Sequence, residues 1–256
     1  MPTNFDDENK ILDCLNRFET NECLIISDKI DSDNYKKTAK IIESLLDENY
    51  MNIWKDNSKS LLPPDFINKE DNIMMEVMRI DDHSSDGKNN PVLQKEKQMN
   101  KELNTLLGDL PKTVSVFCNP VTDLPTEIDH NYTNYYLSFQ RVVRKHASKI
   151  TKYRKNYPNK ELIFLVMDET SGVYFESVNM LQDKLHLVFF DNRFVSEFID
   201  LDIDYLIMFM PYNYFNTLER HNELPHIVIF DIKHLKDGKM MKFIDYDETK
   251  MISSEK

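Results

Sequence analysis

The chain has 256 residues, enough for one large domain or two small ones with a sizeable core. Hydrophobic residues make up 41%, with 15 Phe and 12 Tyr, which excludes a disordered chain. The net charge of −12 excludes a uniformly basic surface that coats nucleic acid, and the four isolated glycines exclude a P-loop and a dinucleotide fingerprint.

Cys14, Cys23 and Cys118 are few and lack C-x-x-C spacing, so neither a zinc ribbon nor a disulfide framework is expected, and a reducing cytoplasm fits. The opening MPTNFDDENK has no apolar h-region, and no apolar run approaches the ~20 residues of a membrane span. No membrane partner is therefore expected.

In chain order, Ile11, Leu12 and Leu15 suggest a short amphipathic helix, and Cys23 to Ser27 a short strand. Ala39, Ile42, Leu45 and Leu46 recur at helical spacing within Asn34 to Tyr50, with Asp33 or Asn34 as the expected cap. A polar connection over Asn52 to Lys59 carries Trp54, read as a packing residue. Pro63 and Pro64 precede Asp65, so a strand starts after them. A turn cluster at Asn68 to Asn72 leads to a strand over Ile73 to Ile80, with Glu76 set among apolar neighbours.

Asp82 to Asn90 has loop composition; Asp81, Asp82, His83 and Asp86 offer ligand types that a metal site uses, but a loop of Asp, Ser, Gly and Asn needs no ligand to explain it. A helix is expected over Pro91 to Leu107, a strand over Thr113 to Cys118, and a long loop from Asn119 to Asn131. Tyr132 to Tyr157 carries the strongest helical stripe, Tyr136, Phe139, Val143, Ala147, Ile150 and Tyr153, and Pro158 stops it. Glu161 to Met167 is continuously apolar and suits a strand covered on both faces. Further strands are expected at Leu185 to Phe190, Tyr205 to Met210 and Ile227 to Ile232, with a short helix at Arg193 to Ile199. His226, Asp231 and His234 around the last strand lack a helical metal-ligand spacing. Helices alternating with buried strands predict a single α/β domain over residues 1–256, a mixed central sheet flanked by helices.

Asp65 and Glu76 are the best candidates for chemistry. An ionised group inside an apolar strand is costly unless a partner or a metal compensates it. Two carboxylates on neighbouring strands supply hard oxygen ligands for Mg²⁺. In the order Pro64-Asp65 and Glu76-Val77-Met78, after the helix at Asn34 to Tyr50, the sequence resembles the PD-(D/E)xK nuclease superfamily. That family places a helix before a β-hairpin, aspartate at the start of one strand and (D/E)-x-K on the next, then a helix and further strands. The resemblance implies a restriction-endonuclease-like core over residues 34–168 with an insertion at 89–131, and a C-terminal sheet extension over 169–248. It implies metal-assisted phosphodiester hydrolysis, with Asp65 and Glu76 as catalytic metal ligands. Met78 departs from the pattern, because a thioether cannot do the work of the family's lysine. Arg79 points to the opposite face of the strand from Glu76. Lys145 or Lys149 on the later helix is the replacement that the resemblance suggests, and if neither serves, the protein is an inactive relative.

The second signal is a local reversal of charge. Residues 141–160 hold Arg141, Arg144, Lys145, Lys149, Lys152, Arg154, Lys155 and Lys160 and no acid. Such a face, with Arg141, Arg144, Lys145, Lys149 and Lys152 as contacts, suits a phosphate backbone. The ordinary alternative is a solvated helix face paired with acidic neighbours, its charges favoured by the helix dipole. Two functions follow: a divergent or inactive Mg²⁺-dependent nuclease, or a non-catalytic interaction protein that binds a protein partner or a second copy of itself.

Overall fold

The computed structural model describes residues 8–57, 64–83, 94, 98, 101–102, 105, 130–170, 172–179, 182–212, 224–236 and 242–254. Ten strands are described: β1 Cys23–Ile26, β2 Trp54–Asp56, β3 Phe66–Asn68, β4 Ile73–Ile80, β5 Glu161–Asp168, β6 Tyr174–Asn179, β7 Gln182–Leu185, β8 Tyr205–Phe209, β9 Ile227–Asp231 and β10 Met251–Ser253. The α-helices are α1 Glu8–Leu15, α2 Asp33–Leu46, α3 Tyr50–Ile53, α4 Tyr132–Ala147, α5 Ile150–Asn156, α6 Asn192–Val195 and α7 Ile232–Lys236.

Seven strands form a mixed central sheet in the order β1-β9-β8-β5-β4-β3-β2. β4, β5 and β8 run parallel, while β3 is antiparallel to both β2 and β4. β9 reverses against β8, and β1 lies parallel to β9 at the far edge. A smaller antiparallel sheet has the order β10-β6-β7.

Strand alternation sends the residues of the central sheet to two separate cores. Ile73, Met75 and Val77 of β4 pack with Ile163, Leu165 and Met167 of β5 under α1 and α2, which contribute Ile11, Leu12, Leu15, Ile41, Ile42 and Leu45. Met74, Met78 and Ile80 pack with Leu162, Phe164 and Val166 under α4 and α5, which contribute Phe139, Val143, Ile150 and Tyr153. The sheet is thus the middle of three layers. β5 is the centre: every side chain from Leu162 to Met167 is fully buried, as its unbroken apolar sequence requires.

Several expectations change in detail. The helix expected to begin at Asn34 begins at Asp33, and its cap is Ser32, whose side chain accepts from the Tyr35 N–H at 3.1 Å. That helix ends at Leu46, and Tyr50–Ile53 is a separate turn of helix. The connection expected at Asn52 to Lys59 contains β2, whose Trp54 is buried and donates its indole N–H to the Ser44 hydroxyl at 3.1 Å. The long helix divides at Ser148, where the hydroxyl donates to the Lys145 carbonyl at 2.6 Å and competes with the helical pattern. The strand expected at Leu185 to Phe190 is instead the end of β7 followed by a 3-10 turn over Val188–Phe190. The β6–β7 hairpin has no counterpart in the sequence reading. β8 and β9 extend the central sheet, whereas β6, β7 and β10 form the separate one.

The strand expected at Thr113 to Cys118 and the loop expected at Asp82 to Asn90 lie largely outside the described residues. So does most of the helix expected at Pro91 to Leu107, although Gln94, Gln98, Lys101, Glu102 and Thr105 are helical. Among the described residues, no helix is long and apolar enough to cross a membrane.

Candidate functional site

The β3–β4 pairing decides where Asp65 and Glu76 face. Phe66 pairs with Met75 and Ile67 with Met74. Continuing that antiparallel register by one residue sets Asp65 opposite Glu76, on the side of the sheet that α4 and α5 cover. Asp65 stands just before β3 and is held by Asn57. The Asn57 backbone N–H donates to the Asp65 carbonyl at 2.7 Å and its side chain to the Pro64 carbonyl at 2.8 Å.

Glu76 occupies the β4 row between Met74 and Met78 and is only 2% exposed. Its Oε1 lies 2.7 Å from His146 Nδ1 and accepts from Lys149 Nζ at 3.3 Å. Burial works against its charge, but His146, Tyr153 and Lys149 together outweigh burial, and the carboxyl lies below its usual range. Its Oε2 is buried and makes no hydrogen bond. Burial first, and the adjacent Glu76 carboxylate second, push the Tyr153 hydroxyl well above the ordinary tyrosine range. It is near enough to be perturbed, yet it too is buried without a hydrogen-bond partner.

Asp65 accepts from the Val77 backbone N–H at 2.8 Å through Oδ2. Burial first, and the charge of Glu76 second, push its carboxyl up to about 7, against the pull of the Val77 N–H. The two carboxylates therefore form one electrostatic unit: Glu76 holds its charge with the help of two basic side chains, and Asp65 holds a proton more tightly for being next to it.

The expected site residues fall into two groups. Asp65, Glu76 and Lys149 come together, with Lys149 Nζ 3.3 Å from Glu76 Oε1. Met78 is packed in the core below α4 and α5. Lys145 is exposed and does not reach Glu76. Arg79, on the opposite face as expected, contacts Glu169 at 3.5 Å. Of the basic row, Arg144 pairs with Glu197 at 2.8 Å and Arg154 with Asp204 at 2.9 Å, as the ordinary alternative predicts. Arg141, Lys145 and Lys152 are exposed, and Lys145 and Lys152 make no ion pair among the described residues.

The sequence reading missed His146 and Tyr153. Their spacing with Lys149, three residues then four, puts all three on one helical face despite the break at Ser148. Tyr153 was counted as a member of the apolar stripe, and its ring is indeed core. Its hydroxyl lies close enough to Glu76 for each group to shift the other.

Two hard carboxylates, one with an unsatisfied buried oxygen, are a donor set that fits Mg²⁺. Asp65 and Glu76 would hold it. As arranged here, no three His, Cys, Asp or Glu side chains among the described residues converge on one metal position.

A second polar cluster sits at the carboxyl ends of β4 and β5, where Asp82 and Asp168 leave the sheet. The Tyr135 hydroxyl donates to Asp168, and the Tyr174 hydroxyl donates to Asp82 at 2.6 Å, their rings stacked 5.5 Å apart. His130 Nδ1 lies 2.8 Å from Asp82 Oδ1. Asp191 accepts from the Tyr132 hydroxyl at 2.7 Å and lies 2.8 Å from His186 Nε2. Burial pushes Asp168 up to about 7 and pushes His186 down. Both Asp168 oxygens are engaged, the second by the Thr170 N–H at 3.0 Å, so the cluster is a hydrogen-bonded seam. His226 and Asp231 also have structural partners: the Met210 carbonyl at 3.0 Å and the His234 N–H at 3.1 Å.

Comparison with protein-family models, with curated proteins and with solved structures returned no match for this chain.

Proposed function

We propose that this chain is a divergent nuclease of the PD-(D/E)xK kind, acting on nucleic acid by metal-assisted phosphodiester hydrolysis. The observation that carries this reading is the meeting of Asp65, Glu76 and Lys149 on one face of the sheet, with Lys149 Nζ 3.3 Å from Glu76. The chain order supports it. A helix, three antiparallel strands, a helical segment and a strand parallel to the third follow one another as α2, β2, β3, β4, α4 with α5, and β5. This order is compatible with the restriction-endonuclease-like plan that the resemblance implies, with residues 89–131 as the insertion.

Mg²⁺ bound here would stabilise charge on the scissile phosphate and activate a water. Asp65 and Glu76 supply the oxygens that hold the ion. Lys149 stands where it can orient a water or neutralise a non-bridging phosphate oxygen. Exposed Lys145 and Lys152 on the flanking helices would meet the backbone of the nucleic acid. Cys14 and Cys23, the free thiols among the described residues, suit a reducing cytoplasmic setting.

The test is cleavage of labelled single- and double-stranded DNA and RNA with Mg²⁺ or Mn²⁺. Asp65→Ala and Glu76→Ala are expected to abolish cutting, and Lys149→Ala to lower it by at least about 100-fold. Cutting that survives both carboxylate substitutions would rule out the site.

A second reading is a non-catalytic interaction protein, binding a protein partner or a further copy of itself. The pairing of Glu76 Oε1 with both His146 and Lys149 favours it, because a buried carboxylate so compensated needs no metal. No cutting, together with no heat of metal binding by calorimetry, is its expected signature.

A further inference from the structure

A small cavity opens beside the carboxyl ends of β5 and β8, among Tyr135, Asp168, Tyr174, His186, Phe189 and Met210. Asp168 pairs with Ile80, four residues and roughly 13 Å along β4 from Glu76, so this place is separate from the carboxylates of the proposed nuclease site. The hydroxyl donors of its lining are already engaged: Tyr135 donates to Asp168 and Tyr174 to Asp82. What remains accepts. His186 is 8% exposed, and its Nε2 lies 2.8 Å from Oδ2 of Asp191, a buried carboxylate that also accepts from Tyr132. The imidazole proton therefore sits on Nε2, and burial keeps the ring neutral. Nδ1 is then a lone-pair acceptor, and among the described residues it makes no hydrogen bond. Asp168 accepts from the Tyr135 hydroxyl and the Thr170 N–H, which does not fill the acceptor capacity of a carboxylate. Among the described residues, no Lys or Arg lines the cavity, and its other wall is apolar, with Val173, Val188, Phe189 and Met210.

We propose that this cavity binds a small primary ammonium ion, with its N–H groups on His186 Nδ1 and Asp168 and its carbon stem against Val188, Phe189 and Met210. Acceptors without donors select a donor-rich ligand, and a buried carboxyl without a cation selects a positive one. Aromatic rings beside the acceptors favour an organic cation, and the apolar wall accommodates its carbons. The space admits only a few heavy atoms. Around Asp168 stand Tyr135 of α4, Tyr174 of β6, Asp82 after β4 and His186 after β7, and none of them carries a positive charge in this arrangement. Burial accordingly pushes the Asp168 carboxyl up to about 7; Tyr135 and Thr170 favour its ionised form, and Asp82 opposes it. An arriving ammonium supplies the missing cation, so Asp168 gives up its proton as the ligand binds.

The test titrates the full chain with ethylammonium chloride by calorimetry at about pH 6, in two buffers of different ionisation enthalpy. Saturable binding with release of about one proton is expected, and the affinity should rise roughly tenfold per pH unit up to about pH 7 and level off above it. Ethanol and potassium chloride at the same concentrations are expected to give no saturable heat, since one lacks the charge and the other the N–H donors. Asp168→Asn is expected to weaken ethylammonium at least about tenfold and to remove the proton release. The wild-type proton count decides the matter even if that variant does not fold. No saturable binding below about 100 mM, binding without proton release, or equal binding of ethanol or potassium overturns the proposal. Cleavage of nucleic acid is read separately at Asp65 and Glu76, so neither result decides the other.

Discussion

Asp168 is the residue at which stability should follow pH most directly. It is fully buried, and its carboxyl is pushed up to about 7 from the ordinary 3.8. The folded state keeps the proton to about pH 7, while the unfolded chain gives it up near pH 4. Its contribution to stability is therefore complete below pH 4 and is lost as pH rises from about 4 to about 7. The slope is on the order of 1 kcal/mol per pH unit within that window. Asp168→Asn, a neutral near-isostere, is expected to remove this slope, so the gap between the urea midpoints of variant and wild type should change steadily from pH 4.5 to 7. An unchanged gap would mean that Asp168 is ionised throughout. Buried His186, held down by the same burial, acts in the opposite direction but is present in both proteins and cancels in the comparison. Asp65, also pushed up to about 7, gives a related expectation for metal. Its proton competes with the ion, so metal affinity should rise with pH up to about 7 and level off above it. At this scale, the carboxylates were readable because a charge in an apolar strand is a local anomaly. His146 and the Tyr153 hydroxyl were not, because a histidine and a tyrosine on a helix carry no such mark until the sheet beneath them is known.

Elements were legible where one physical rule dominated. β4, β5, β8 and β9 are apolar runs that only a doubly covered sheet accommodates, and they lie within a residue or two of their expected positions. β2 was hidden because only Trp54 of its three residues is buried, and its pairing partner β3 is equally short. The helix break at Ser148 carries no proline or glycine, so the periodicity ran straight through it. The run from Leu185 to Phe190 misled for the opposite reason: apolar content suited a strand, but Asp191 caps the next helix through the Arg193 N–H at 2.8 Å and turns the chain early. β2 allows a direct test of how an edge element supports the site, because it pairs with the strand that Asp65 precedes. Trp54→Ala is expected to cost about 3–5 kcal/mol, read from urea denaturation, through the cavity left and the lost bond to Ser44. Trp54→Phe should cost clearly less, since most of the volume is kept. Ser32→Ala removes only the α2 cap and should cost about 1 kcal/mol.

For the molecule as a whole, the question is how a chain of net charge −12 would hold a polyanion. The sequence exposed the reversal of charge along 141–160 but not how it is spent. Arg144 and Arg154 are bound to acids on the segment that follows α6, and Lys149 is turned inward to Glu76. Those pairings depend on residues some 50 to 70 positions away, which no local pattern reveals. Exposed Lys145 and Lys152 have no such claims on them among the described residues, and they flank the helix break above the carboxylates. If nucleic acid crosses this face, few phosphates are neutralised and binding should be weak but strongly local. Each lysine that displaces counterions from duplex DNA adds about −0.9 to the slope of log affinity against log salt. Lys145→Ala with Lys152→Ala is thus expected to reduce the slope by about 2 units, whereas Lys36→Ala with Lys37→Ala, on α2 across the sheet, should leave it unchanged. Fluorescence anisotropy of a labelled duplex between about 50 and 200 mM salt reads both. Equal effects from the two pairs would mean that the attraction is diffuse and that the basic row does not guide a backbone to Asp65 and Glu76. A change confined to the first pair would tie the surface of α4 and α5 to the buried carboxylates through the same two helices.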